Sequence, residues 1–151
     1  MLEIPAEILR QMHAHGEAAY PEEGAGLLLG KAGDENRLVV DILPLSNSRE
    51  ASARHNRYLI GPLDMLHAEE EADRRGLSVL GVFHSHPDNS SQPSEFDREW
   101  ALPWFSYVIT SVLQGRAVES RSWRLADDRS GFHEESIATL DAPRTSSNRQ
   151  G

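Results

Sequence analysis

Between Leu77 and His86 the chain reads LSVLGVFHSH, an apolar run of strand length that passes directly into the polar loop PDNSSQP. A strand this apolar has to be covered, so its partners must build layers around it. Two further runs, Gly24 to Gly30 (GAGLLLG) and Arg37 to Leu45 (RLVVDILPL), flank the turn GDEN and read as the strands of a hairpin. Residues 5 to 18 read as a helix, with Pro5 suited to its first turn and Ile8, Leu9, Met12 and then Ala19 at helical spacing. A second helix is expected from Pro62 to Arg75, with Leu63, Leu66, Ala68 and Ala72 on its apolar side and Gly76 as its stop.

Between and beyond these lie a short strand candidate at Tyr58 to Ile60 and a brief helix from Ser94 to Trp100. Strands are expected at Trp104 to Leu113, Ala117 to Leu125 and Gly131 to Ile137. Helix and strand mix without strict alternation, which points to an α/β (mixed α+β) chain with a mixed sheet flanked by helices. At 151 residues the length suits one domain, expected over 1–140. The remainder, 141–151, contains the tail APRTSSNRQG, which has almost nothing to bury and is expected to be disordered.

No cysteine is present, so disulfides, thiolate metal sites and thiol nucleophiles are excluded. Any metal must rest on His, Asp or Glu. With 15 basic against 24 acidic residues the net charge is −9, and the basic residues are scattered, which argues against a nucleic-acid partner. The first residues lack a basic segment followed by an apolar core, and no apolar run approaches the ~20 residues of a membrane span. A cytoplasmic protein with no membrane partner is the expectation.

His-x-His occurs twice, at His13 and His15 and at His84 and His86. Helical neighbours two apart point in nearly opposite directions, so the first pair cannot share a metal and reads as surface histidines near a helix end. On a strand, residues two apart face one side, so His84 and His86 can reach one ion together. Ten residues after His86 comes Asp97, on a segment that Ser94 is placed to cap. Two imidazoles, one carboxylate and an open fourth position form the ligand set of a catalytic zinc. Such a zinc needs a base, and Glu22 and Glu23 stand just before the GAGLLLG strand. Periodicity does not choose between them.

These stretches, YPEEGAGLLLG and VLGVFHSHPDNSSQPSEFD, resemble the JAMM (MPN+) zinc metallopeptidase family, and in particular its short stand-alone prokaryotic type. The resemblance runs from about Pro5 to about Leu125. It implies an MPN/JAB-like mixed sheet flanked by helices, with a layered architecture like that of cytidine deaminases. It also implies Zn²⁺ on His84, His86 and Asp97, Glu23 as the general base, and Ser94 bonding the water or the oxyanion. The activity implied is hydrolysis of a peptide or isopeptide bond at the C-terminal tail of a ubiquitin-like or sulfur-carrier protein. Short relatives often carry cysteines after the Glu, whereas Gly24 and Ala25 stand here. The alternative is a non-catalytic MPN scaffold for protein interaction, usually marked by a lost His, Asp or Glu; none is lost. A nucleobase deaminase would need a Cys pair that the chain lacks.

Among the remaining residues, His55, His67 and His133 read as polar surface positions, and Glu69 to Asp73 as a solvated helix face. Trp100 and Trp104 flank the Asp97 segment and read as core.

Overall fold

The computed structural model describes residues 1–45 and 60–141. His55 and the tail from Ala142 lie outside the described residues. Of the strand expected at Tyr58 to Ile60 only Ile60 is described, and it is not in a strand. In chain order the elements are β1 (Leu2–Pro5), α1 (Ala6–Ala19), β2 (Ala25–Ala32), β3 (Arg37–Pro44), α2 (Pro62–Arg74) and β4 (Ser78–Pro87). They continue with α3 (Glu95–Trp100), β5 (Ser106–Leu113), β6 (Arg116–Leu125), β7 (Phe132–Glu135) and β8 (Ile137–Leu140).

The described strands form one eight-stranded mixed sheet in the order β7-β6-β5-β4-β2-β3-β1-β8. β2 and β3 make the expected antiparallel hairpin, from Gly26 opposite Pro44 to Ala32 opposite Arg37. The run that begins at Leu77 becomes β4, antiparallel to β2 and parallel to β5. Parallel neighbours need a crossover of a dozen residues or more. Here residues 88–105 supply it, so the loop and α3 are carried over one face of the sheet. At Gly81 a Cβ would collide with the backbone of Ser106, its partner on β5, so only glycine admits this pairing.

Each face of the sheet has its own core. On one side α1 lays Ile8 and Met12 against Leu28, Val39, Phe83 and Val108. On the other, Ala68 of α2 and Ala101 after α3 meet Leu27, Val82, Phe105 and Tyr107. Helix α2 begins with Pro62 in its first turn, while Asp64 accepts a 3.2 Å bond from the Gly61 amide. It stops before Gly76, whose φ of +69° suits glycine. Its buried positions are Ala68 and Ala72, with Met65 packed against them, whereas Leu63 and Leu66 face outward. The apolar side is therefore rotated from the one expected. Small alanines bring α2 close to the sheet, and the longer leucines stay outside that contact.

Leu2–Pro5, to which the sequence reading assigns no element, forms β1, whose Leu2 and Ile4 are fully buried between β3 and β8. Two expectations are corrected. Gly131 to Ile137 is not one strand. β7 pairs with β6 at one edge, Ser136 intervenes, and β8 pairs with β1 at the other edge, so the sheet curls until its edges meet end to end. Glu135 sits at that seam, accepting from Ser106 Oγ at 2.7 Å and Ser122 Oγ at 2.9 Å, with Arg37 3.9 Å away. Finally, Trp100 and Trp104 are 61% and 62% exposed rather than core. The aromatic volume at that place is supplied by Phe105 and Tyr107, and the inward positions of this segment are Asp97 and Ala101.

Candidate active site

β4 is the strand that positions the histidines. His84 and His86 point to the face crossed by α3, while Phe83 and Ser85 between and before them face α1. Asp97 is brought to the pair by α3, a helix too short to hold itself without a cap. Ser94 supplies it: its Oγ accepts from the Asp97 amide at 3.1 Å, and the Asp97 carboxylate accepts from the Ser94 amide at 2.7 Å. His84 Nε2 then lies 3.4 Å from Asp97 Oδ1 and His86 Nε2 lies 3.2 Å from Asp97 Oδ2. One ligand atom from each of the three residues lies within 4.8 Å of the others, and all three residues are buried.

The donor chemistry suits a divalent transition metal. His86 Nδ1 is 2.8 Å from the Ser90 carbonyl, which can only accept, so Nδ1 carries a proton and Nε2 is the ring nitrogen turned to Asp97, 3.2 Å away. Ser90 is held in turn by its neighbour Ser91, whose Oγ donates to Glu119 at 2.7 Å and whose carbonyl accepts from Trp123 Nε1 at 2.9 Å. A backbone carbonyl that orients a ligand has no signature in side-chain spacing, so Ser90 is not legible from sequence.

Burial dominates the electrostatics of His84, driving its pKa down to about 4 against the partial relief of Asp97. His84 is therefore neutral at pH 7, as a metal ligand must be, and its approach to Asp97 is no ion pair. For His86 burial also lowers the pKa, but the hydrogen bond and charge of Asp97, with smaller help from Ser90 and Glu23, raise it overall. Burial raises Asp97, yet the two imidazoles and the Ser94 amide outweigh it and hold the carboxyl at about 2.

A cleft of about 460 Å³ opens over these groups and is lined by Glu23, His86, Pro87, Asn89, Ser94 and their neighbours. Glu23 enters it from the segment before β2, where Ala25 is paired with His84. Glu22 does not line the cleft. The earlier histidine pair behaves as helical geometry requires, each ring going to a different strand: His13 Nε2 meets Ser120 Oγ of β6 at 2.9 Å, and His15 packs edge-on against Phe83 of β4. Both are half-buried rather than surface residues, because α1 lies flat on the sheet. His67 and His133 are exposed, as are Glu69, Glu70 and Asp73.

A curled mixed sheet that gathers two histidines and an aspartate under one cleft with a glutamate defines a JAB-type domain with a complete donor set. The chain belongs to the prokaryotic homologs of the JAB domain, a family that matches residues 5–126. It is 34% identical over 115 residues to the "Probable TtuB-protein conjugate cleaving protease" of Thermus thermophilus, covering 74% of this chain and 73% of that protein. Over 128 residues it is 28% identical to the "CysO-cysteine peptidase" of Mycobacterium tuberculosis, covering 84% of each. A solution structure of a Desulfitobacterium hafniense protein has the same fold, with a TM-score of 0.83 and 28% identity over 99% of this chain and 100% of that one. No helix among the described residues is long and apolar enough to cross a membrane.

Proposed function

We propose that this protein is a zinc peptidase that hydrolyses a peptide or isopeptide bond at the C-terminal tail of a ubiquitin-like or sulfur-carrier protein. The observation that carries this reading is the buried convergence of His84, His86 and Asp97 beneath a cleft that Glu23 also lines. The names of the Thermus and Mycobacterium relatives, a probable TtuB-protein conjugate cleaving protease and a CysO-cysteine peptidase, support the substrate class. A chain with no cysteine for disulfides suits the cytoplasm, which is the compartment proposed.

His84 and His86 would give their Nε2 atoms to the metal and Asp97 a carboxylate oxygen, and the zinc would supply a Lewis acid and more acidic water. Glu23 takes the proton from the attacking water and returns it to the leaving amine. Ser94 lines the same cleft, and because its oxygen accepts from the Asp97 amide, its hydroxyl hydrogen is left to donate to the developing oxyanion.

The test is metal analysis of the purified protein together with cleavage of fusions to a small carrier ending in Gly-Gly. The parent is expected to hold about one zinc per chain. Glu23→Ala is expected to keep the metal and lose roughly a hundredfold or more in rate. A protein without zinc, or a variant as fast as the parent, contradicts the reading.

A further inference from the structure

Glu23 sits in a five-residue connection, Tyr20 to Gly24, between α1 and β2. The Tyr20 and Glu22 amides donate back to the Gly16 and Ala19 carbonyls of α1 at 3.2 and 2.9 Å, and further ties come from the stretch that bears the histidines. Ser85, the residue between His84 and His86, is 2% exposed and points away from the cleft. Its Oγ accepts from the Gly24 amide at 2.9 Å, and its own amide donates to the Gly24 carbonyl at 2.9 Å. Both backbone polar groups of the residue after Glu23 are therefore held by Ser85. Space for this contact is left by α1, where a Cβ on Gly16 would lie only 3.1 Å from the Ser85 Cβ.

The other end of the connection is held by Asp88, two residues past His86. Its Oδ2 accepts from the Tyr20 hydroxyl at 2.6 Å, its Oδ1 accepts from the Gln114 amide at 2.8 Å, and its own amide donates to the Val112 carbonyl at 2.7 Å. Asp88 adopts a φ of +57°, a left-handed conformation that Asp tolerates better than most residues. A short bridge tied at both ends to the ligand strand cannot drift from the histidines independently of them.

We propose that Ser85 and Asp88 are positioning residues that set the Glu23 carboxylate against the metal ligands. The inference rests on Glu23 being the base, and it assigns the placement of that base to two residues outside the catalytic set. Misplacing a catalytic group by an ångström can cost up to about a hundredfold in rate while leaving substrate binding alone.

The experiment compares the parent with Ser85→Ala, Ser85→Thr and Tyr20→Phe. It reads amide exchange at Gly24 in the metal-free protein, bound zinc, and kcat and KM on the Gly-Gly carrier fusion. Ser85→Ala is expected to speed Gly24 exchange and lower kcat about tenfold, with zinc and KM held near parental values. Ser85→Thr keeps the oxygen and is expected to restore both readouts. Tyr20→Phe is expected to lower kcat by about threefold with zinc retained, since its bond is exposed. Unchanged Gly24 exchange, unchanged kcat in Ser85→Ala, or a loss of zinc that matches the loss of kcat overturns the proposal. A parent that does not cleave the fusion, with Glu23→Ala no different, overturns the functional reading itself.

Discussion

Three side chains concentrate the pH response of the metal-free protein. His84 has an ordinary pKa of 6.5 when unfolded and about 4 when folded, so below pH 6.5 the unfolded chain takes up a proton that the folded chain refuses. Stability is expected to fall from about pH 6.5 down to about pH 4 on this account. Asp97 extends the loss, since its folded value of about 2 lies below its ordinary 3.8: its contribution is present above 3.8 and disappears as pH drops through 2. His86 has the opposite sign, because its folded value is raised; its contribution is full below the ordinary histidine value and is lost as pH rises through the folded one. Thermal melts of metal-free protein should therefore show Tm declining between pH 6.5 and 4, and His84→Leu should flatten that part of the curve. A Tm that stays level over this range in the parent would contradict the buried neutral state of His84. At this scale the sequence was informative because two residues apart on a strand means one face, and the spacing to Asp97 leaves room for a crossover. It was silent on Ser90, Ser85 and Asp88, whose roles depend on backbone groups that carry no signature.

Among the elements, α3 has the least of its own to stand on, with six residues and one buried side chain, Asp97. Its stability comes from the Ser94 cap, from Arg129, which donates to the carbonyls of Arg98, Glu99 and Ala101, and from Ala101 and Leu102, which join the core beyond it. Replacing Ser94 by Ala should cost about 1 kcal/mol of stability and release the Asp97 amide, while Ser94→Thr should keep most of the cap. Denaturant unfolding of the metal-free protein checks the first effect, and zinc titration checks whether Asp97 has moved. If Ser94→Ala binds zinc as tightly as the parent, the cap does not position the carboxylate. The hairpin and α2 were legible because Gly and Pro punctuate them at positions 24, 30, 33, 62 and 76. Of the strands of four residues, β7 falls within the strand expected from Gly131, whereas β1, β8 and the break at Ser136 were not legible, since so short a segment shows no period and its partners are remote in sequence. The bulk of tryptophan favours burial in general, whereas here α3 turns Asp97 inward and leaves Trp100 outside.

For the molecule as a whole, closure of the sheet depends on the seam at Glu135. Arg37 donates to the carbonyls of Leu80 and Trp104 and to Ser106 Oγ, and Arg124 reaches Glu135 Oε2 at 3.5 Å. Burial lowers the Arg37 pKa and nearby Arg124 lowers it further, with only Glu135 opposing them. Glu135→Gln would leave two guanidinium groups facing each other across the seam, and a loss of about 3 kcal/mol in unfolding free energy is expected. Equilibrium denaturation measures it. Zinc content should be unchanged, because the seam lies at the opposite end of β4 from the histidines; a variant as stable as the parent would show that the seam is not held by charge.

The glycine at position 81 gives β4 a further significance. Alternation along a strand has a period of two, so a slip of one residue would turn Phe83 and Ser85 into the cleft and drive both imidazoles under α1. Such a chain would retain its helices, its strand count and most of its apolar burial, and it would have no metal site. The slipped pairing is blocked where Gly81 meets Ser106, since Leu80 or Val82 brought to that point would place a side chain inside the neighbouring backbone. An absent side chain, remote from every reacting group, thus separates an enzyme from an inert protein of almost the same shape.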